Sequence, residues 1–158
     1  MTPKNFFTRL QTLIKAMVWP TGGAKIFGDN VFVVAKLPGM PIGQIVSPTC
    51  YIVENGFAPH DEHPNILFQN FQLVFFVENV QSEFGQASFL GATTTANTSR
   101  GIGVLDLEAQ VIKQVIEVIT LTDKISIKED GASKCQEVSS NAPNLYRLLN
   151  YSTILGVY

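Results

Sequence analysis

The stretch from Ile66 to Glu78, ILFQNFQLVFFVE, constrains this chain more than any other. Its odd positions carry Leu67, Phe71, Leu73, Phe75 and Val77, interrupted only by Gln69. Its even positions mix Ile66, Phe68, Val74 and Phe76 with Asn70, Gln72 and Glu78. An alternation of period two, built from aromatic and β-branched side chains, predicts a strand in spite of its length, apolar on one face and partly apolar on the other. A strand of this kind needs neighbours on both edges and a cover on at least one face. Two segments can supply the cover, Pro3 to Val18 and Val104 to Ile119, and both read as amphipathic helices.

The first of these opens with Thr2 as a cap and Pro3 at the first helical position, where a missing N–H costs nothing. Phe6, Phe7, Leu10, Leu13, Ile14, Met17 and Val18 fall on one stripe, with Lys4, Arg9, Gln11 and Lys15 outside it. Trp19-Pro20 and Gly22-Gly23 end the helix. In the second, Val104, Leu107, Val111, Val115 and Val118 make one row with Leu105, Ile112, Ile116 and Ile119 beside it, a stripe broad enough for deep packing. Asp106 and Glu108 suit the helix N-terminus, but two residues apart they share no face and make no catalytic carboxylate pair.

Between these anchors, AKIFGDNVFVVAKL reads as a hairpin or bulged strand around Gly28-Asp29-Asn30. Pro38 to Pro48 is too rich in proline and glycine for a regular element. CYIVE, Cys50 to Glu54, reads as a strand ended by Asn55-Gly56. Ser82 caps a short turn through Phe84 to Leu90, and Ala92 to Ser99 is a connection. KISIK and the tail RLLNYSTILGVY alternate as strands, the tail with Leu149, Tyr151, Leu155 and Val157 on one side. The expected fold is a single α+β domain over residues 1–158, one layer of mostly antiparallel sheet packed against two amphipathic helices.

Composition narrows the function. Only 15% of residues are charged, against ~25% in an ordinary soluble domain, and eleven are Phe. Something besides water is expected to cover part of this surface. The apolar runs are too short for a membrane-spanning helix, which leaves an oligomer or larger assembly, or a monomer that simply exposes apolar area. The formal charge of -2, with no block of either sign, is not that of a protein that grips phosphates. No signal peptide is apparent, so Cys50 and Cys135 are expected as reduced thiols.

The chemistry-bearing motifs are few. His60, Asp61, Glu62 and His63 stand together between Pro59 and Pro64, the most metal-like cluster of the chain. Its spacing is not that of His-Glu-x-x-His, and no further histidine completes a shell, so a solvated loop is the preferred reading and no metal or cofactor is expected. Gly101-Ile102-Gly103 beside Arg100 opens the second helix but lacks the spacing of a phosphate-binding loop. No nucleophile motif is present. A small metal-dependent hydrolase using residues 60–63 stands as one alternative, and a small-molecule binding module with a pocket between sheet and helices as another.

The succession FGDNVFV, a proline-rich stretch, CYIVENG, HDEHPNILFQNFQLVFFVE, FGQASFLGA and SRGIGVLDLEAQV resembles small virion proteins of long-tailed bacteriophages, most closely the tail terminator or tail completion proteins. The resemblance spans about residues 6 to 120 and lies in order and texture rather than in a residue motif. From Lys124 onward the chain matches nothing in that group. The resemblance implies a structural protein without catalytic residues, placed in the tail or neck of a virion that is assembled in the host cytoplasm. It implies a hexameric homo-oligomeric ring that caps the tail tube, ends its polymerisation and joins the tail to the head. Its partners would be the tail tube protein and a head–tail connector or neck protein, with DNA passing through the lumen without specific binding and no membrane involved. Neck, connector and tube proteins of the same particles are the near alternatives. On this reading the subunit, tube and head contacts fall in the two least regular segments, at Met40, Ile42 and Ile45 and at Phe84, Phe89, Leu90 and Arg100, apolar or Arg anchors in charge-poor loops.

Overall fold

A computed structural model describes residues 1–19, 23–37, 48–78, 103–130, 134–137 and 144–156. The stretch Ile66–Glu78 is strand β3 and sits inside one six-stranded sheet. Helix α1 is Pro3–Ala16, and the strands before β3 are β1, Val31–Val34, and β2, Thr49–Pro59. After it come helix α2, Val104–Val111, which runs on through π-helical turns at Ile112–Ile116 and Ile119–Asp123, and strands β4, Ile127–Glu129, β5, Lys134–Glu137, and β6, Asn144–Gly156. The strand order is β1-β2-β3-β6-β4, with β5 also on β6. Every pair is antiparallel except β1 with β2. The architecture is therefore the α+β layer of mostly antiparallel sheet and two helices that the periodicities predict.

β3 is central because its two edges are occupied along most of its length. It pairs with β2 from Thr49↔Phe76 to Pro59↔Leu67, and with β6 from Ile66↔Gly156 to Glu78↔Asn144. Its odd side chains face the helices. Phe71, Leu73, Phe75 and Val77 join Cys50 and Ile52 of β2 and Leu149, Tyr151 and Leu155 of β6 beneath Phe6, Leu10 and Ile14 of α1 and Val104, Leu107, Val111 and Val115 of α2. Phe71 stands where these layers meet, with its ring 5.3 Å from Phe6, 6.2 Å from Phe7 and 5.5 Å from Tyr151.

Helix α1 starts as its sequence dictates: the Thr2 hydroxyl accepts from the Asn5 amide at 3.3 Å, and Pro3 follows. It ends at Ala16, two residues short of the predicted Val18. The reason lies in the next segment, where Met17 and Trp19 pair with Ile26 and Ala24 as a small antiparallel corner bridged at Val18↔Lys25. The Gln114 side chain holds that corner to α2, accepting from the Val18 amide at 3.1 Å and donating to its carbonyl at 2.8 Å. The same corner replaces the hairpin expected around Gly28-Asp29-Asn30. The Ala24 carbonyl and the Ile26 amide are already taken by Trp19 and Met17 just after α1, and Val31–Val34 pairs with the long partner Cys50–Val53 instead, in parallel.

The stripe of α2 also differs from an ideal helix. Leu107, Val111, Val115 and Ile119, each four residues from the last, are all fully buried. In a regular α-helix of 3.6 residues per turn, a spacing of four drifts by about 40° per step. The π-helical turns, closed by bonds one residue longer, wind more slowly and cancel that drift. Ile119 rather than Val118 therefore continues the row, and Ile112 is left 37% exposed. The helix runs past Ile119 to Asp123, where Arg9 of α1 meets the carboxylate at 3.2 Å, and Lys124 breaks it with a φ of 56°. No helix among the described residues is long and apolar enough to cross a membrane.

Candidate interaction surface

Among the apolar side chains that the fold leaves without cover, Phe57, Phe68 and Ile154 lie at the end of the sheet where β2 turns into β3, while Phe32 and Val33 of β1 and Leu121 beyond α2 are exposed elsewhere. β2 does not stop at Asn55-Gly56, as its sequence predicts, but crosses a bulge and continues to Pro59. Gly56, at a φ of +88°, supplies the left-handed backbone that such a bulge needs, so the residue that reads as a terminator acts as a hinge within the strand. Between the pairs Glu54↔Phe71 and Phe57↔Gln69, two residues of β2, Asn55 and Gly56, stand against one of β3, Asn70, which reverses the parity of everything beyond.

Gln69 secures the bulge from below. It is the polar interruption in the apolar face of β3, only 2% exposed, and its amide donates to Glu54 Oε1 and to the Gly56 carbonyl, both at 3.0 Å. Glu54 Oε1 also accepts from the Gly56 amide at 2.9 Å. Phe57, opposite Gln69, consequently lies on the helix-bearing side of the sheet, yet beyond the helices, and is 65% exposed.

The turn itself carries His60 to His63. It is closed by backbone bonds from His63 N to His60 O at 3.3 Å and from Ile66 N to His63 O at 2.9 Å. The His60 Nδ1 accepts from the Glu62 amide at 3.2 Å, and its ring stacks on Phe68 at 5.2 Å and lies 5.1 Å from that of His63. Asp61 and Glu62 are exposed. Among the described residues no three His, Cys, Asp or Glu side chains converge as a metal-holding group. His60→Ala with His63→Ala is expected to leave both the fold and the metal content of purified protein unchanged, measured by a cooperative calorimetric transition and by elemental analysis. Stoichiometric zinc in the wild type that the double variant loses would reverse this reading.

On the face of the sheet away from the helices, one half is apolar: Tyr51, Val53 and Val74 are buried together with Val34 packed against them, and Phe32, itself 45% exposed, stacks on Tyr51 at 5.7 Å. A polar band follows, where Gln72 donates to Asn150 Oδ1 at 2.7 Å. Beyond the band, towards the hairpin end, lies a shallow depression of ≈ 200 Å³ lined by Phe68, Ser126, Lys128, Ser152, Thr153 and Ile154. Phe68 and Ile154 form its apolar part at 37% and 48% exposure, and Lys128 stands beside Ser152 across the β4–β6 register.

No family model and no curated protein matches this chain.

The other sequence-predicted candidates are distributed as follows. Met40, Ile42, Ile45, Phe84, Phe89, Leu90 and Arg100 lie outside the described residues, as does most of the Arg100-Gly101-Ile102-Gly103 loop. At its end, the Gly103 amide is already engaged by Asp106 Oδ2 at 3.3 Å. Cys50 is a free, fully buried thiol, pushed well above its ordinary pKa by burial, and behaves as a small core hydrophobe. Burial, and after it the charges of Glu129 and Glu108, raise the pKa of Tyr151, whose hydroxyl has no hydrogen-bond partner among the described residues. Sequence reasoning missed Phe57, Phe68 and Ile154 as surface residues. The signal was present for the last two in the even positions of their strands. For Phe57 it was hidden, because only the bulge decides its side.

Proposed function

We propose that this chain is a structural virion protein of a long-tailed bacteriophage, a tail terminator that assembles as a ring of about six copies. The ring caps the tail tube, stops its growth and presents the surface on which the head is joined, and DNA passes through its lumen. The observation that carries this reading is the placement of uncovered apolar side chains on opposite sides of one sheet: Phe57 on the helix-bearing side, Phe68 and Ile154 on the other. Two different patches pointing apart suit a head-to-tail contact, which closes into a ring when its rotation closes. The low charge and the formal value of -2 agree with a channel that lets DNA slide rather than grips it. The sequence resemblance supplies the virion, the tail tube protein and the neck or connector protein as partners.

Light scattering and electron-microscopic class averages of purified protein, alone and with tail tubes, test the reading. Closed rings, free or on tube ends, are expected. A strict monomer at high concentration that also ignores tail tubes would refute it. Long tubes formed by the protein alone would identify a tube protein, and rings that bind heads but not tubes a connector.

A further inference from the structure

Phe57 is a large apolar side chain on a strand, two-thirds in the open, at the end of the sheet where Asp61 and Glu62 are also exposed. On the opposite face of the same sheet lies a depression with an apolar floor at Phe68 and Ile154, two serine hydroxyls, and one ammonium at Lys128. Among the described residues Lys128 is in no ion pair. Its neighbour Glu129 aligns with Tyr151 on the helix side, and Asp130 follows beyond the end of β4.

We infer that the two patches are the halves of one contact between copies of this chain: Phe57 of one copy seats in the Phe68–Ile154 depression of the next, and the acidic turn at Asp61 and Glu62 meets Lys128. The fit is one of both shape and charge. The depression is of the size of a single aromatic side chain, and Lys128 on its rim faces a turn carrying two acids. Because the knob and the socket point to opposite sides of the sheet, two copies related by a two-fold axis cannot bury both pairs at once. The contact is heterologous, and each copy that joins leaves a knob at one end and a socket at the other until the circle closes. The inference rests on the ring reading only for that closure. The bulge at Gly56 gives the contact its direction, since without the parity reversal Phe57 would fall on the same face as its own socket.

The test uses the full chain. Phe57→Ser and, on the other half, Ile154→Asp are each expected to raise the dissociation constant for self-association at least about 30-fold, the loss of one anchor side chain, with an unchanged melting point. Charge exchange gives the second arm. The hairpin variant Asp61→Lys with Glu62→Lys and the socket variant Lys128→Glu should each associate several-fold more weakly alone, and an equimolar mixture of the two should recover assembly, because basic hairpin then meets acidic socket. Sedimentation velocity reads all four. Wild-type rings that persist in Phe57→Ser and Ile154→Asp, or a mixture no better than its components, overturn this contact and leave the ring reading standing. A wild type that is monomeric both alone and with tail tubes overturns both.

Discussion

Val115→Asp is expected to give a chain that does not fold. Val115 is fully buried in the middle of the row Leu107, Val111, Val115 and Ile119, between α2 and the sheet face led by Phe71, Leu73 and Phe75. A carboxylate there has lost its water and meets apolar neighbours. Whether it stays ionised or takes up a proton, the cost is several kcal/mol, comparable with the ~5–15 kcal/mol that holds a domain together. The π-helical turns worsen the position, because by keeping the row on the sheet they deny the residue a rotation towards solvent. Insoluble product, or soluble product without a cooperative thermal transition, is the expected outcome. A variant that melts like the wild type would mean that this face of α2 is not packed on the sheet.

Phe71→Ala should leave the chain folded but much weaker, by about 3–5 kcal/mol in urea unfolding. The ring touches α1 through Phe6 and Phe7 and the C-terminal strand through Tyr151, in edge-on and stacked geometries that add to simple burial. Its removal opens a cavity among three elements distant in sequence, and none of them can close it without moving backbone. The next aromatic along the strand on the same face, Phe75, contacts Phe27 instead, at 5.9 Å, so the double variant should lose nearly the sum of the two single losses. A Phe71→Ala loss below about 1 kcal/mol would show that α1 is not seated on β3 as described.

What local chemistry determines was legible in the sequence. The alternation of Ile66 to Glu78 is a property of side chains two apart on a pleat, and it made β3 central before any neighbour was known. The cap at Thr2, Pro3 and the stripe of α1 depend only on residues within a few turns of each other. The tail strand, with Leu149, Tyr151 and Leu155 facing one way, has the same local basis, and together these imply the class of fold. Tertiary structure decided whatever depends on a partner far away in the chain. Val31–Val34 has the composition of a hairpin arm, yet it pairs in parallel with Cys50–Val53, while the Ala24 carbonyl and the Ile26 amide are taken by the residues just after α1. Asn55-Gly56 carries the signature of a strand end, but β3 offers unpaired edge beyond it, so Gly56 bends the strand rather than ending it. Gln69 looked like a flaw in an apolar face and is the residue that holds that bend. The same bend places Phe57 opposite Gln69 and away from Phe68. No local pattern reveals this, because the side on which a strand residue emerges after a bulge is fixed by its cross-strand register and not by its own sequence.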